Sequence, residues 1–276
     1  MQYGLALPTG GECGDPSFVV ELAVSAEQTG WDGVFVEDYI CFQGDPRAPT
    51  CDPWVALAGI ACQTERVRLG TMVTPLSRRR PWKVAREVAG VDQLSSGRTV
   101  LGVGLGDTGE HVLADASFSA FGETCDPRVR AQMLDEALEI LAGLLSGEPF
   151  AFSGVHYHVD QVTFHPAPVQ RPRVPIWVGG GYPHPGPTRR AQRWDGSCLY
   201  HAETHDLSPE QVRDLRAGAG DRPFDICVGG RERRHGDRAW LREIAEAGAT
   251  WWVEYVPAQD RDTMRAAVRR GPLRID

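Results

Sequence analysis

One pairing recurs along this chain and limits what it can become. A short apolar run that fits a buried strand is followed by a longer stretch with apolar residues at helical spacing. Strands are expected at Tyr3–Leu7, Gly33–Val36, Arg66–Val73, Thr99–Val103, Pro175–Val178, Ser197–Tyr200, Phe224–Val228 and Thr250–Val256. Helices are expected at Phe18–Gln28, Asp52–Ala61, Pro81–Leu94, Arg128–Leu145, Arg189–Trp194, Ser208–Ala217, Ala239–Ala247 and Arg261–Arg269. Such alternation predicts a parallel sheet joined by right-handed crossovers. Eight units of it close into an α/β (β/α)8 TIM barrel. The 276 residues, 42% of them apolar, fit one barrel domain over residues 1–276. Two stretches interrupt the pattern: a long loop over Gly109–Asp126 and a small hairpin over Phe150–Val169 that turns at Ser153-Gly154.

Barrels of this kind place their chemistry at the C-terminal ends of the strands. Here those ends read Glu37-Asp38-Tyr39, Thr71–Thr74, Gly104–Gly109, Gly179–Gly181, Tyr200-His201, Gly229-Gly230 and Glu254. Glycine clusters at strand ends let backbone approach a flat or phosphorylated ligand, since no Cβ intervenes. Gly104 and Gly106 are therefore expected to form one wall of a cofactor site. Glu37 is expected to hydrogen-bond the edge of the cofactor. Asp38 is the candidate acid or base, if burial raises its pKa. His111, just past the glycines of the fourth strand, is a second candidate for moving a proton near neutral pH. Arg189 and Arg190 follow the glycine triplet at an expected helix start, where a guanidinium can grip a phosphate. The Arg78-Arg79-Arg80 run either meets an anionic cofactor tail or is solvated.

Several motifs together resemble the luciferase-like monooxygenase family. They are Asp92, Leu94-Ser95 and Gly97-Arg98 leading into Leu101-Gly-Val-Gly-Leu-Gly106; Arg68-Leu-Gly-Thr-Met-Val-Thr-Pro75; Pro168-Val-Gln-Arg-Pro172 followed by Pro175-Ile-Trp-Val-Gly-Gly180; and Arg190-Ala-Gln-Arg-Trp-Asp-Gly196. They run in the family's order from the first strand to about Tyr200. The resemblance implies a reduced flavin in the barrel mouth, either FMN or the deazaflavin coenzyme F420. It implies oxidoreductase chemistry on a small organic substrate, monooxygenation first among the options. It also implies a bulge with a non-proline cis peptide in the third strand, at Thr71, Met72 and Val73, with Thr74 beside it, supporting the flavin ring. Gly179 and Gly180, with Gly181 next, are implied to meet the phosphate. Tyr39, Tyr200 and His201 are candidates for the substrate wall. A homodimer is implied as well. Many members carry a histidine near the end of the second strand, where this chain has Glu37-Asp38-Tyr39.

Three other patterns point elsewhere but lack the context their chemistry needs. Gly104-Leu-Gly-Asp-Thr-Gly109 fits the dinucleotide-binding fingerprint, but a dinucleotide fold needs a helix at once and then a second strand. His156-x-His158 has metal-ligand spacing, yet it falls on the hairpin and not at a barrel strand end, so no metal is expected. Lys83, the only lysine, lies at a helix start, which argues against Schiff-base chemistry. A barrel that binds flavin without turning it over is the alternative from outside enzymology. A formal charge of −8 gives no reason to expect a nucleic-acid or membrane partner. Seven cysteines without a Cys-x-x-Cys pair, and an opening with no signal peptide, point to the cytoplasm.

Overall fold

The computed structural model describes residues 1–106 and 117–275. His111, Glu110 and Gly109 lie outside the described residues. Strands β1 (Gln2–Leu7), β2 (Gly33–Val36), β3 (Arg68–Pro75), β4 (Thr99–Gly104), β7 (Ile176–Tyr182), β8 (Gly196–His201), β9 (Asp225–Arg231) and β10 (Trp251–Tyr255) pair in parallel. They close in the order β1-β10-β9-β8-β7-β4-β3-β2. Strands β5 (Phe150–Ser153) and β6 (His158–Val162) form the separate antiparallel hairpin. The expected (β/α)8 barrel is the observed fold, and among the described residues no helix is long and apolar enough to cross a membrane.

The outer layer consists of α1 (Pro16–Gln28), α2 (Pro53–Gln63), α3 (Pro81–Leu94), α4 (Pro127–Ser146), α5 (Pro185–Ala191), α6 (Pro209–Ala219), α7 (Asp237–Glu246) and α8 (Arg261–Arg269). Proline opens α1 through α6, where its missing N–H has no helical partner to lose. Asp15, Asp52, Asp126, Ser208 and Asp260 cap helix starts by accepting from first-turn amides.

Helix α5 departs from the sequence expectation. It starts four residues before Arg189, because Pro185 and Pro187 lie in its first turn, where proline fits, and do not prolong the loop. Arg189 and Arg190 consequently sit in its last turn, away from the amide-rich end.

Side chains alternate between two cores. Val34 and Val36 of β2 join the large core under the helices, whereas Phe35 faces inward with Trp177 and Trp251. The Phe35 ring lies 5.4 Å from Trp177 and 5.7 Å from Trp251, and the two tryptophans are 5.5 Å apart. This aromatic cluster fills the lumen, as expected of a packed barrel. A ligand can therefore enter only above it.

At the opposite end of the strands, the motif Asp92 to Arg98 closes the structure. Arg98 donates to the carbonyls of Ser95, Ala61, Thr64 and Val67 and to Thr64 Oγ1. Fully buried Asp92 accepts from the amides of Val169 and Gln170 at 2.7 and 3.1 Å and from Gln170 Nε2 at 2.7 Å. The opening parts of two family-like motifs, Asp92–Arg98 and Pro168–Pro172, thus hold each other in place and do not line the site.

Candidate active site at the barrel mouth

A cavity of about 620 Å3 opens at the C-terminal ends of the strands. That is within the size range of small-molecule sites. Of the residues expected from the sequence, Glu37, Asp38, Tyr39, Met72 and Val73 line one side of it, and Gly104, Gly106, Gly179, Gly180, Gly181, Arg190 and Tyr200 the other. Residues from distant parts of the chain therefore meet in one place.

The third strand carries the expected irregularity. Its pairing with β4 slips between Thr71 and Thr74, and the Met72–Val73 peptide is cis. Thr71 is buried and donates from Oγ1 to the Gly102 carbonyl at 2.9 Å, so it fastens the bulge and does not line the cavity. Thr74 is buried beside it. The neighbouring strands must be glycine here. A Cβ on Gly102 would stand 2.1 Å from the Thr71 carbonyl oxygen. Cβ atoms on Gly104 and Gly179 would stand 2.7 and 2.9 Å from the Val73 side chain. The glycines thus make room for the bulge from the side, and Met72 and Val73 present a bare face to the cavity.

Two adjacent carboxylates at the end of β2 have different surroundings. Asp38, its side chain fully buried, is committed to cations: Arg79 Nη2 donates to Oδ1 at 2.7 Å and Arg78 Nη2 at 3.1 Å, and Arg78 also donates to the Asp38 carbonyl. Arg79 reaches on to Asp52, the cap of α2. Within the arginine run, Arg78 is buried and lines the cavity and Arg79 is half-buried against Asp38, while Arg80 is exposed. Phe118 stacks with it, its ring 5.6 Å from the Arg78 guanidinium carbon and 4.1 Å from that of Arg130. Glu37 has no cationic partner among the described residues. Burial pushes its carboxyl up to about 8, opposed only by the nearby Tyr255 side chain, and among the described residues Oε2 has no hydrogen-bond partner. Tyr255 is itself pushed up by burial and by Glu37.

Arg190 is 7% exposed, and its Nε and Nη2 grip Asp135 at 2.6 and 2.9 Å. It reaches the cavity as an anchored side chain. His201 does not line the cavity: its Nδ1 accepts from the amides of Glu203 and Thr204 and caps a turn. His156 and His158 bond to Gln132 and Asp160 on the hairpin, and among the described residues no cluster of three metal-type ligands exists. Lys83 pairs with Glu87 along α3.

Sequence reasoning left Arg78 open between a site role and solvation, and it missed Ser117, Phe118, His184 and Pro187. It missed Tyr255, the partner of Glu37. Counting by twos from inward-facing Phe35 reaches Glu37, and from Trp251 reaches Tyr255, so that pair was within reach. A smaller space of about 180 Å3 adjoins the site past Met72 and Val73, lined partly by Cys198 and Cys227. Burial pushes the Cys198 thiol up to about 12 and that of Cys227 upward too, so both are neutral.

The fold and site define a class: a (β/α)8 barrel with a bulged third strand and a glycine-walled ligand cavity at its mouth. The model of the luciferase-like monooxygenase family matches residues 1–270, and the chain belongs to that family. Over 181 residues it is 33% identical to the F420-dependent glucose-6-phosphate dehydrogenase of Nakamurella multipartita, covering 64% of this chain and 50% of that protein. It is 32% identical over 166 residues to the F420-dependent hydroxymycolic acid dehydrogenase of Mycobacterium tuberculosis, covering 60% and 44%. These matches span about half the length of the curated relatives. Among solved structures, an F420-dependent secondary alcohol dehydrogenase in complex with an F420-acetone adduct superimposes with a TM-score of 0.74 at 18% identity, over 98% of this chain and 97% of that one. At that identity the likeness concerns the fold.

Proposed function

We propose that this chain is an oxidoreductase that holds a reduced FMN or deazaflavin coenzyme F420 in the barrel mouth and acts on a small organic substrate there. The observation that carries this reading is the cavity itself, with the Met72–Val73 bulge on one wall and the glycine ends of β4 and β7 on the other. Met72 and Val73 would lie under one face of a planar ring and leave the other face to substrate. Backbone at Gly104 and Gly106 gives a flat group close approach. Gly179–Gly181 would receive the coenzyme phosphate, with His184 and the anchored Arg190 beside them. Tyr39, Tyr200 and Phe118 would form the substrate wall.

Such a coenzyme supplies two electrons as hydride when it is bound. The chain supplies orientation, a wall that limits water, and groups that move protons. The names of the sequence relatives favour the deazaflavin and an alcohol–carbonyl conversion over the monooxygenation that the family name suggests. The reading includes a homodimer and a reducing compartment; seven cysteines with no disulfide among them support the latter.

Turnover tests it. The protein is mixed anaerobically with reduced deazaflavin, or aerobically with reduced FMN, and a panel of small carbonyl compounds, and coenzyme oxidation is followed optically. Substrate-dependent oxidation is expected. Tight coenzyme binding with no turnover across the panel would favour a barrel that binds flavin without catalysis.

A further inference from the structure

Resting on that reading of the mouth, we infer that Glu37 is the catalytic acid–base residue of this site, and that its substrate is a carbonyl or the corresponding alcohol. Three geometric facts point to it. Glu37 lines the cavity at the strand end directly above the aromatic floor, and its amide donates to the Leu7 carbonyl at 3.1 Å. Among the described residues its Oε2 is buried with no hydrogen-bond partner; Asp38 Oδ2 is orphaned too, but that carboxyl already has two guanidiniums. Tyr255, on β10 and separated from β2 only by β1, stands beside it on the lumen side of the barrel. Buried polar atoms in folded proteins nearly always have partners. An orphaned carboxyl oxygen on a cavity wall is a place for a ligand's polar atom.

The neighbouring charges are arranged to leave this carboxyl alone. Asp38, next in the chain, is neutralised by Arg78 and Arg79. Tyr255 faces Glu37 from β10, and Tyr39 and Cys13 add to the acidic surroundings of that tyrosine. Among the described residues no arginine, lysine or histidine pairs with Glu37. A carboxyl so placed holds its proton at neutral pH and can donate it. Asp38 is the reverse case: a carboxyl locked between two guanidiniums, which positions the end of β2.

In the reducing direction the carbonyl carbon of the substrate gains a hydride, whose two electrons come from the reduced coenzyme. The carbonyl oxygen takes the proton from Glu37, so C=O becomes CH–OH. Glu37 is left as a carboxylate and regains its proton from solvent. In the oxidising direction Glu37 begins as the carboxylate and takes the hydroxyl proton as hydride passes from the carbon to the oxidised coenzyme.

The variant Glu37→Gln keeps the shape and removes the titration. Its coenzyme affinity, read by fluorescence quenching, should stay within about twofold of wild type, while kcat falls about 100-fold or more. The pH dependence of kcat near the Glu37 transition should vanish with it. An infrared difference spectrum adds a readout that needs no substrate: wild type at neutral pH should show a protonated-carboxyl C=O absorption that disappears on raising the pH and is absent from E37Q. Retention of kcat by E37Q would overturn the inference while leaving the coenzyme reading intact. So would a loss of coenzyme affinity with unchanged saturated rate, which would make Glu37 a coenzyme ligand. Absence of the infrared band from wild type overturns it even if no substrate in the panel reacts. If wild type binds neither coenzyme, the reading of the mouth fails by itself.

Discussion

Glu37 and Tyr255 face one another across the first strand of the barrel, on the lumen side and above the Phe35, Trp177 and Trp251 cluster. Each lies two residues beyond a lumen-facing apolar side chain, Phe35 on β2 and Val253 on β10. The inner period of the two strands therefore delivers a carboxyl and a phenol to one spot, with no cation among the described residues paired with the carboxyl.

This arrangement makes stability depend on pH. The Glu37 carboxyl is raised by burial from 4.5 to about 8, so between those values the native state holds a proton that the unfolded chain has lost. The contribution is fully present below about 4.5 and is lost as pH rises through about 8. E37Q should flatten this part of the profile and be more stable than wild type at alkaline pH, by on the order of 4 kcal/mol. Thermal unfolding of both proteins from mildly acid to alkaline pH checks it; parallel profiles would count against the burial of this carboxyl.

Removing the neighbouring charge should have the opposite kind of effect. Asp38→Asn leaves the guanidiniums of Arg78 and Arg79 without their carboxylate in a buried setting. A loss of about 3–5 kcal/mol is expected from breaking such a pair. Adding Arg79→Met to D38N should restore part of it. Denaturant unfolding of the single and double variants decides.

Two glycine-to-alanine changes should diverge. On β4, Gly102→Ala drives a Cβ to 2.1 Å from the Thr71 carbonyl, so the bulge must shift, and coenzyme affinity should fall about tenfold or more along with Tm. Gly90, exposed within α3, has no neighbouring atom within 4 Å of the place a Cβ would take. There, alanine should add about 0.5–1 kcal/mol by helix propensity alone, with coenzyme binding unchanged. Equal outcomes for the two would contradict the packing described.

Arg98 ties the turn before β4 to the Ala61–Val67 stretch that ends α2 and leads into β3, far from the mouth. Arg98→Ala should lower stability by about 3 kcal/mol, because it strands several buried carbonyls. Measured at a temperature where the variant is folded, coenzyme affinity should match wild type. A specific loss of affinity would mean that this end of the barrel is coupled to the site.

Most of the barrel was legible because each strand is a short apolar run and most helices carry a proline or an aspartate at their start. Helix α5 was the exception: a first turn containing Pro185 and Pro187 reads as loop unless proline's tolerance there is counted. The site was legible at its glycines and its bulge, where backbone demands show directly as residue type. It was not legible where two neighbours compete. Nothing in Glu37-Asp38 alone says which carboxyl the arginines beyond β3 will take; that depends on which side of the strand each faces. Phe118 and Arg130 meet beside the cavity through tertiary packing between segments that no local pattern links.

The most direct measurement is a titration of the purified chain with F420 and with FMN, followed by quenching of tryptophan fluorescence, with Trp177 and Trp251 just beneath the cavity. One saturable site per chain is expected for at least one coenzyme, weakened about tenfold or more by Gly179→Val, whose side chain would crowd Val73. A folded wild-type chain that shows no saturable quenching by either coenzyme would contradict the account.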